Sequence, residues 1–373
     1  MTAQPLVVRQ PAVSSDVANL DILRAVAVTL VFGNHLTVTL QIRGWGSFGH
    51  LGVLLFFVHT ALVLMMSMAR TGLRGAALYE NFLIRRLFRM YPLSVLCVLL
   101  VVILKIPITA WAAGYVWQGW RVFVSNLLLT QNLTHSVSVN GVLWSLPYEI
   151  QMYALLPIIY LILDKRRKPS TAILLWLLSV VIAFSECVLQ PFGSDDRYLL
   201  TRYFPCFMSG IVAWSMMRRS TRPRCPSWAW PIALAGLVLL SRTLTARINL
   251  HPAAAGDHSW HSYFADVAGD WICATLTGLL IPFFAQMQNA AVRLIARTVA
   301  KYSYGIYLFH VPVLWFTLVR FRTQWPGLNL ALALLSLAVV SVAAYHFIEE
   351  PFIEWGKRLA NRRTKLNLRT AAA

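Results

Sequence analysis

Acidic residues are scarce in this chain: 14 Asp and Glu stand against 33 Lys and Arg, and charged residues make up only 13% of 373 positions. A soluble domain carries roughly 25%, so an ordinary water-facing surface is excluded. The 5 cysteines (Cys97, Cys187, Cys206, Cys225, Cys273) show no paired spacing, which removes a disulfide-stapled scaffold, a zinc-finger array and a dithiol redox site. Glycine (19) and proline (17) are too few for a collagen-like or disordered chain. There is no Walker-type loop, no GxGxxG after a strand pattern, no HExxH and no GxSxG elbow. Nucleotide hydrolysis and metal chemistry therefore have no support, and no metal ligand set is expected.

What is present is apolar: 58% of residues are hydrophobic and the mean hydropathy is +0.61. The bilayer is the expected solvent. Ten stretches approach the roughly 20 residues needed to cross a hydrocarbon core. They lie at 18–40, 49–69, 82–104, 143–163, 172–190, 199–217, 228–241, 267–288, 302–319 and 328–348. A Trp-rich region, 106–132, reads as an interfacial or an extra spanning helix. The fold class is thus an all-α polytopic membrane bundle of about ten transmembrane helices.

The net charge of +19 would suggest nucleic acid in a soluble protein. Here the cations follow topology. With the N-terminus inside, 23 Lys and Arg fall on the inner side and 9 on the outer, Arg24 lying within the first span. That asymmetry places both termini in the cytoplasm, with the lipid bilayer and no nucleic acid as the chain's surroundings. Residues 1–17 lack the pattern of a cleaved signal peptide and read as a cytoplasmic segment. Residues 18–352 form the membrane domain and 353–373 a basic cytoplasmic tail.

Ionisable groups inside spans are costly and therefore functional candidates. Arg24 and His35 are 11 residues apart on the first helix, which puts them on one face about 16 Å apart along the axis. Arg85, Arg86 and Arg89 enter the third helix at spacings that let their guanidinium groups converge on phosphate, although taken alone the favoured reading is an ordinary positive-inside anchor that snorkels to lipid headgroups. Glu149 lies within about two turns of the outer end of the fourth apolar stretch and is expected at the depth of His35, where a carboxylate orients an imidazole. Tyr307 and His310 share a face of the ninth helix. For these two, for His59 and for His346, the favoured reading is an interhelical hydrogen bond, with cavity lining as the second.

The order of the segments LDILRAVAVTLVFGNH, GVLLFFVHTAL, RRLFRMYP, WSLPYE, YSYGIYLFH and HFIEEP resembles the acyltransferase-3 family of integral membrane O-acyltransferases. The resemblance implies that acyl-CoA, most simply acetyl-CoA, is a donor substrate rather than a permanently bound cofactor. It also implies that Arg24, Arg86 and Arg89 receive its phosphates, and that His35 acts as general base or acyl carrier with Glu149 as its orienting partner. Tyr304, Tyr307 and His310 would line the substrate tunnel. The acceptor would be a hydroxyl of a glycan, a lipid-linked saccharide or a secreted small molecule, at a bacterial cytoplasmic membrane. Ile22, Leu54, Leu55, Thr60 and Ala61 depart from the family pattern, on what read as acceptor-side or packing positions. Some members carry an outer esterase-like domain; this chain is expected to transfer the acyl group itself or to hand it to a separate outer-side transferase. The alternative class is a transporter or channel that uses the same Arg, His and Glu groups without acyl chemistry.

Overall fold

The computed structural model describes residues 18–42, 48–166, 168–189, 200–219, 223–250 and 260–370. The segment 1–17 and the side chain of Cys187 lie outside them. The described chain is a succession of α-helices: α1 (Ala18–Thr39), α2 (Phe48–Thr71), α3 (Gly75–Ile103), α4 (Trp120–Leu127), α5 (Leu146–Arg166) and α6 (Pro169–Leu189). There follow α7 (Leu200–Met217), α8 (Ala229–Leu250), α9 (Trp260–Leu280), α10 (Ala290–Leu314), α11 (Pro326–Ala344) and α12 (Glu350–Thr370). No strand occurs among the described residues.

Seven helical rods are long and apolar enough to cross a membrane: α1, α2, α3, α5 with its preceding turn, α6, α10 with its π-helical extension, and the continuous rod of α11 and α12. Shorter apolar stretches lie on α8 and α9 (Ala229–Leu244 and Val267–Phe283). Each of the ten apolar segments read from the sequence overlaps a helix, and the molecule is an all-α polytopic membrane bundle.

Two regions take a form that hydropathy left open. Within 106–132 only the eight-residue α4 is α-helical, far short of a span of about 20 residues. It turns Trp120, Val124 and Leu128 outward at four-residue intervals, the pattern of an interfacial helix. Residues 353–370 belong to α12, which packs along α3 and extends the α11 rod through a π-helical turn at Tyr345–Glu349.

The core is centred on α2, whose apolar side chains are buried almost all round by α1, α5, α7 and α9. In lipid, close packing replaces the hydrophobic drive between helices, so backbones meet at small residues. At Gly210 of α7 an added Cβ would stand 2.1 Å from the carbonyl oxygen of Val58 on α2, and at Gly278 of α9 one would stand 2.4 Å from that of Ser209. Gly210→Ala is expected to cost about 1–3 kcal/mol through overpacking, read as a lowered unfolding temperature in detergent. An unchanged temperature would show that α2 and α7 separate freely.

The start of α1 is fixed by one side chain. Buried Asn19 donates to the carbonyl oxygen of Ala285 (2.9 Å) and accepts from the amide of Met287 (3.0 Å). Its own amide donates to Gln286 Oε1 (3.0 Å), and its carbonyl oxygen accepts from Trp230 Nε1 (3.2 Å). The helix that carries Arg24 and His35 is thereby anchored to the linker between α9 and α10 and to α8. Alongside, α10 packs the length of α1.

Candidate active site

Two groups of polar side chains lie along α1. The first surrounds Arg24, whose Nε donates to Ser303 Oγ of α10 at 2.6 Å while its guanidinium lies 5.7 Å from the Phe56 ring centroid. Arg24 faces a cavity with about 720 Å³ of empty space, the opening included, walled also by His59, Arg86, Arg89, Glu149, Tyr304 and Tyr307. Three guanidinium groups and one carboxylate thus meet in one compartment. Tyr153, one turn beyond Glu149 on α5, donates its hydroxyl to Glu149 Oε2 at 3.0 Å.

The arginines of α3 do not act as one triad. Arg86 and Arg89 face the cavity, but Arg85 turns away and donates from Nη2 to Asn361 Oδ1 of α12 at 2.9 Å. Adjacent residues are about 100° apart on a helix, so Arg85 and Arg86 point to different neighbours. Arg89 Nη2 stands 3.1 Å from Glu349 Oε1. This is an ion pair rather than a well-directed hydrogen bond, since neither Glu349 oxygen has hydrogen-bond geometry to a donor. The Glu349 side chain is fully buried, and the π-helical turn at Tyr345–Glu349 brings it there. Single π-helical turns of this kind concentrate at functional sites.

The second group is a histidine pair at the other end of α1. His310 Nε2 lies 3.2 Å from His35 Nδ1. Each ring also sets its Nδ1 on a carbonyl oxygen of its own helix: His35 on Val31 (2.9 Å) and His310 on Ile306 (3.1 Å). A carbonyl oxygen only accepts, so both neutral rings carry their proton on Nδ1. His310 Nε2 is then a lone pair that shares the His35 Nδ1 proton with Val31. His35 Nε2 is left as an unprotonated nitrogen with no hydrogen bond among the described residues. Trp111 stacks on the His35 ring (centroids 5.7 Å apart, planes at 23°) and is itself 47% exposed. A histidine in this tautomer, braced on both sides, is set to take a proton at Nε2.

Tyr307 joins the two groups. Its hydroxyl donates to the carbonyl oxygen of Val142 at 2.8 Å and lies 2.7 Å from Ser145 Oγ. Its ring lines the cavity and sits 6.2 Å from that of His310. Neither His35 nor His310 lines that cavity, so Tyr307 is the wall between the compartments. Tyr304 lines the cavity too and ties α10 to α3 by donating to the carbonyl oxygen of Met90 at 2.8 Å.

The 3-10 turn Gly141–Ser145 that feeds α5 is docked inside the bundle by the chemistry of Pro312. Proline has no amide hydrogen, so the carbonyl oxygen four residues earlier, that of Leu308, loses its helical partner. Asn140 Nδ2 supplies a donor at 3.0 Å, with Cys97 Sγ at 3.5 Å. Asn140→Leu removes that donor from a buried carbonyl and is expected to destabilise the protein by about 1–3 kcal/mol. The measurement is thermal unfolding, and stability equal to wild type would show that the turn is held by Tyr307 alone.

The turn before α5 is buried inside the bundle, and Glu149 lines the cavity with Arg24 rather than meeting His35. The expected Glu149–His35 pair is therefore not formed: Glu149 is bonded to Tyr153, and His310 takes the position against His35 Nδ1. His310, expected in the tunnel lining, stands behind Tyr307. His59, read first as a bundle-fixing hydrogen bonder, lines the cavity with a buried Nδ1 that has no partner. His346 does make the interhelical bond expected of it, with Tyr302 Oη at 3.3 Å, and it also pairs with Glu350 at 3.0 Å.

A family model described as an acyltransferase domain matches residues 17–346. The O-acetyltransferase OatA of Staphylococcus aureus (strain NCTC 8325 / PS 47) is 25% identical over 368 residues, covering 90% of this chain and 57% of the relative. YrhL of Bacillus subtilis (strain 168), provisionally named a peptidoglycan O-acetyltransferase, is 25% identical over 373 residues, covering 93% of this chain and 56% of the relative. The chain thus spans a little over half the length of these relatives. No solved structure matches it. With a match that runs from the first turn of α1 to the π-helical turn beyond α11, across both polar compartments, the chain belongs to the acyltransferase-3 family.

Proposed function

We propose that this protein is a membrane O-acyltransferase that moves an acetyl group from cytoplasmic acetyl-CoA to a hydroxyl of a glycan on the outer side, through ten membrane crossings with both termini in the cytoplasm. The observation that carries the reading is the pair of compartments on one helix: an arginine-lined cavity at Arg24 and a braced, unprotonated His35 Nε2 about three turns away. The family and the acetyltransferase names of the relatives support the acyl chemistry and the acetyl group. The asymmetry of Lys and Arg supports the orientation and a cytoplasmic membrane. A glycan acceptor draws on YrhL's name.

In this reading Arg86 and Arg24 hold phosphate oxygens of the donor, and its linear arm runs past Tyr307 toward His35. The acceptor oxygen attacks the thioester carbonyl as His35 Nε2 takes its proton. The carbon–sulfur bond then breaks, and the CoA thiolate leaves with the proton returned by the imidazolium. His310 steadies that imidazolium by accepting from Nδ1–H. Glu149 and Tyr153 fix the cavity wall and offset part of the arginine charge.

The test is CoA release from acetyl-CoA by the purified protein in lipid nanodiscs, together with the shift of its unfolding temperature on adding acetyl-CoA. Release with stabilisation is expected. Neither release nor stabilisation would return the protein to the transporter class.

A further inference from the structure

Beyond the central cavity, a polar groove opens between α2, α3 and α12, lined by Arg70, Thr71, Asn81, Arg85, Asn361 and Thr364. No carboxylate lines it, and neither arginine has an ion-pair partner among the described residues. Its empty space is about 1080 Å³, open solvent included. A smaller cavity of about 250 Å³ continues inward from it past Phe82, sharing Asn81 and Arg85 with the groove and Arg86 with the central cavity. The buried Nε atoms of Arg85 and Arg86 have no hydrogen-bond partner. Two wide spaces thus flank a small one that shares lining residues with both, with cations at each and unsatisfied donors at the small one.

That profile fits a ligand with a bulky, phosphate-bearing head and a thin chain. Guanidinium groups free of carboxylates favour phosphate oxygens, and the neutral amides and hydroxyls of Asn361, Thr364 and Thr71 suit a sugar and a base. The far wall is α12, fastened across the groove by Asn81 Nδ2 donating to Thr364 Oγ1 (3.0 Å) and by Arg85 donating to Asn361. It is seated on α3 at Gly356, where an added Cβ would stand 2.5 Å from Phe88 Cβ.

We propose that this groove is the seat of the nucleotide end of the donor, with Arg70 and Arg85 as its phosphate ligands and α12 as the strap that completes it. The inference rests on the reading of acyl-CoA as donor and adds to it a place for the part of the molecule that does not react. It also gives Arg85 a task separate from that of Arg86.

The experiment compares acetyl-CoA with S-acetylpantetheine, which keeps the thioester and arm but lacks the nucleotide, in wild type and in the Arg70→Ala/Arg85→Ala variant. In parallel, the binding of 3′,5′-ADP alone to both proteins in nanodiscs is measured by calorimetry. The expected result is a rise of about ten-fold or more in the KM for acetyl-CoA relative to that for S-acetylpantetheine, with 3′,5′-ADP binding to wild type and lost in the variant. Equal change with both donors, or no change with either, would overturn the assignment of the groove. So would a wild type that turns over acetyl-CoA without binding 3′,5′-ADP. Failure of wild type to turn over either donor, with no stabilisation by acetyl-CoA, would instead bring down the acyltransfer reading, and the groove assignment with it.

Discussion

His35→Ala is expected to lower acetyl-CoA turnover by about 10²–10⁴-fold, the usual contribution of a positioned general base. The effect is large because the nearest other imidazole, His310, lies a ring's width further in and is fully buried, with its Nδ1 committed to Ile306. The variant keeps the anchors of α1 at Asn19 and Arg24, so it should elute as a single folded species. His310→Phe preserves much of the buried volume but removes one of the two acceptors of His35 Nδ1–H, leaving the Val31 carbonyl, and a smaller loss of roughly ten-fold is expected from one hydrogen bond. A folded His35→Ala protein with wild-type turnover would refute the assignment of the base. An unaltered rate in His310→Phe would refute the histidine pair while leaving His35 in place.

The second large effect separates two arginines that look equivalent in sequence. Arg89→Ala leaves the carboxylate of Glu349 buried without its ion-pair partner, and breaking such a pair from one side costs about 3–5 kcal/mol. Loss of folded protein is expected, whatever the donor. Arg86→Ala removes a group that faces the cavity with a buried, unpartnered Nε, so it should leave the unfolding temperature nearly unchanged and raise the KM for acetyl-CoA. The check is unfolding temperature and donor KM measured on the same preparations. Equal destabilisation by both changes would mean that Arg86 is also a structural cation. The double variant Arg89→Met/Glu349→Leu offers a control, since removing both charges of a buried pair is often near neutral.

Much of this was legible in the sequence wherever it depended on helical period alone. Arg24 and His35 share α1 at the separation their spacing dictates, and the bundle follows from ten apolar segments. What period cannot give is depth. Glu149 is the example: its apolar segment gives the residue's place along the helix but not that the turn before α5 is packed inside the bundle, which sets the side chain in the Arg24 cavity. A signal for that lay in the sequence: Pro312 leaves the Leu308 carbonyl without a donor, and a donor had to come from another segment. Arg85 could have been parted from Arg86 by its 100° offset. The π-helical turn that buries Glu349 has no comparable signature, since it shifts the face of the helix without changing its composition. Nor does the sequence reveal which imidazole stands against His35, because that depends on how α1 and α10 slide along each other.

The wall that Tyr307 makes between the cavity and the histidine pair bears on the membrane as a whole. A standing aqueous path from Arg24 to Trp111 would let ions and protons run down their gradients, and an enzyme of this plan would then short-circuit the membrane it serves. With the tyrosine hydroxyl held by Val142 and Ser145, the ring stands fixed between the cavity and the histidine pair, where such a path would have to run. In the proposed reaction the acyl arm would have to displace that ring to reach His35, occupying the opening as it makes it.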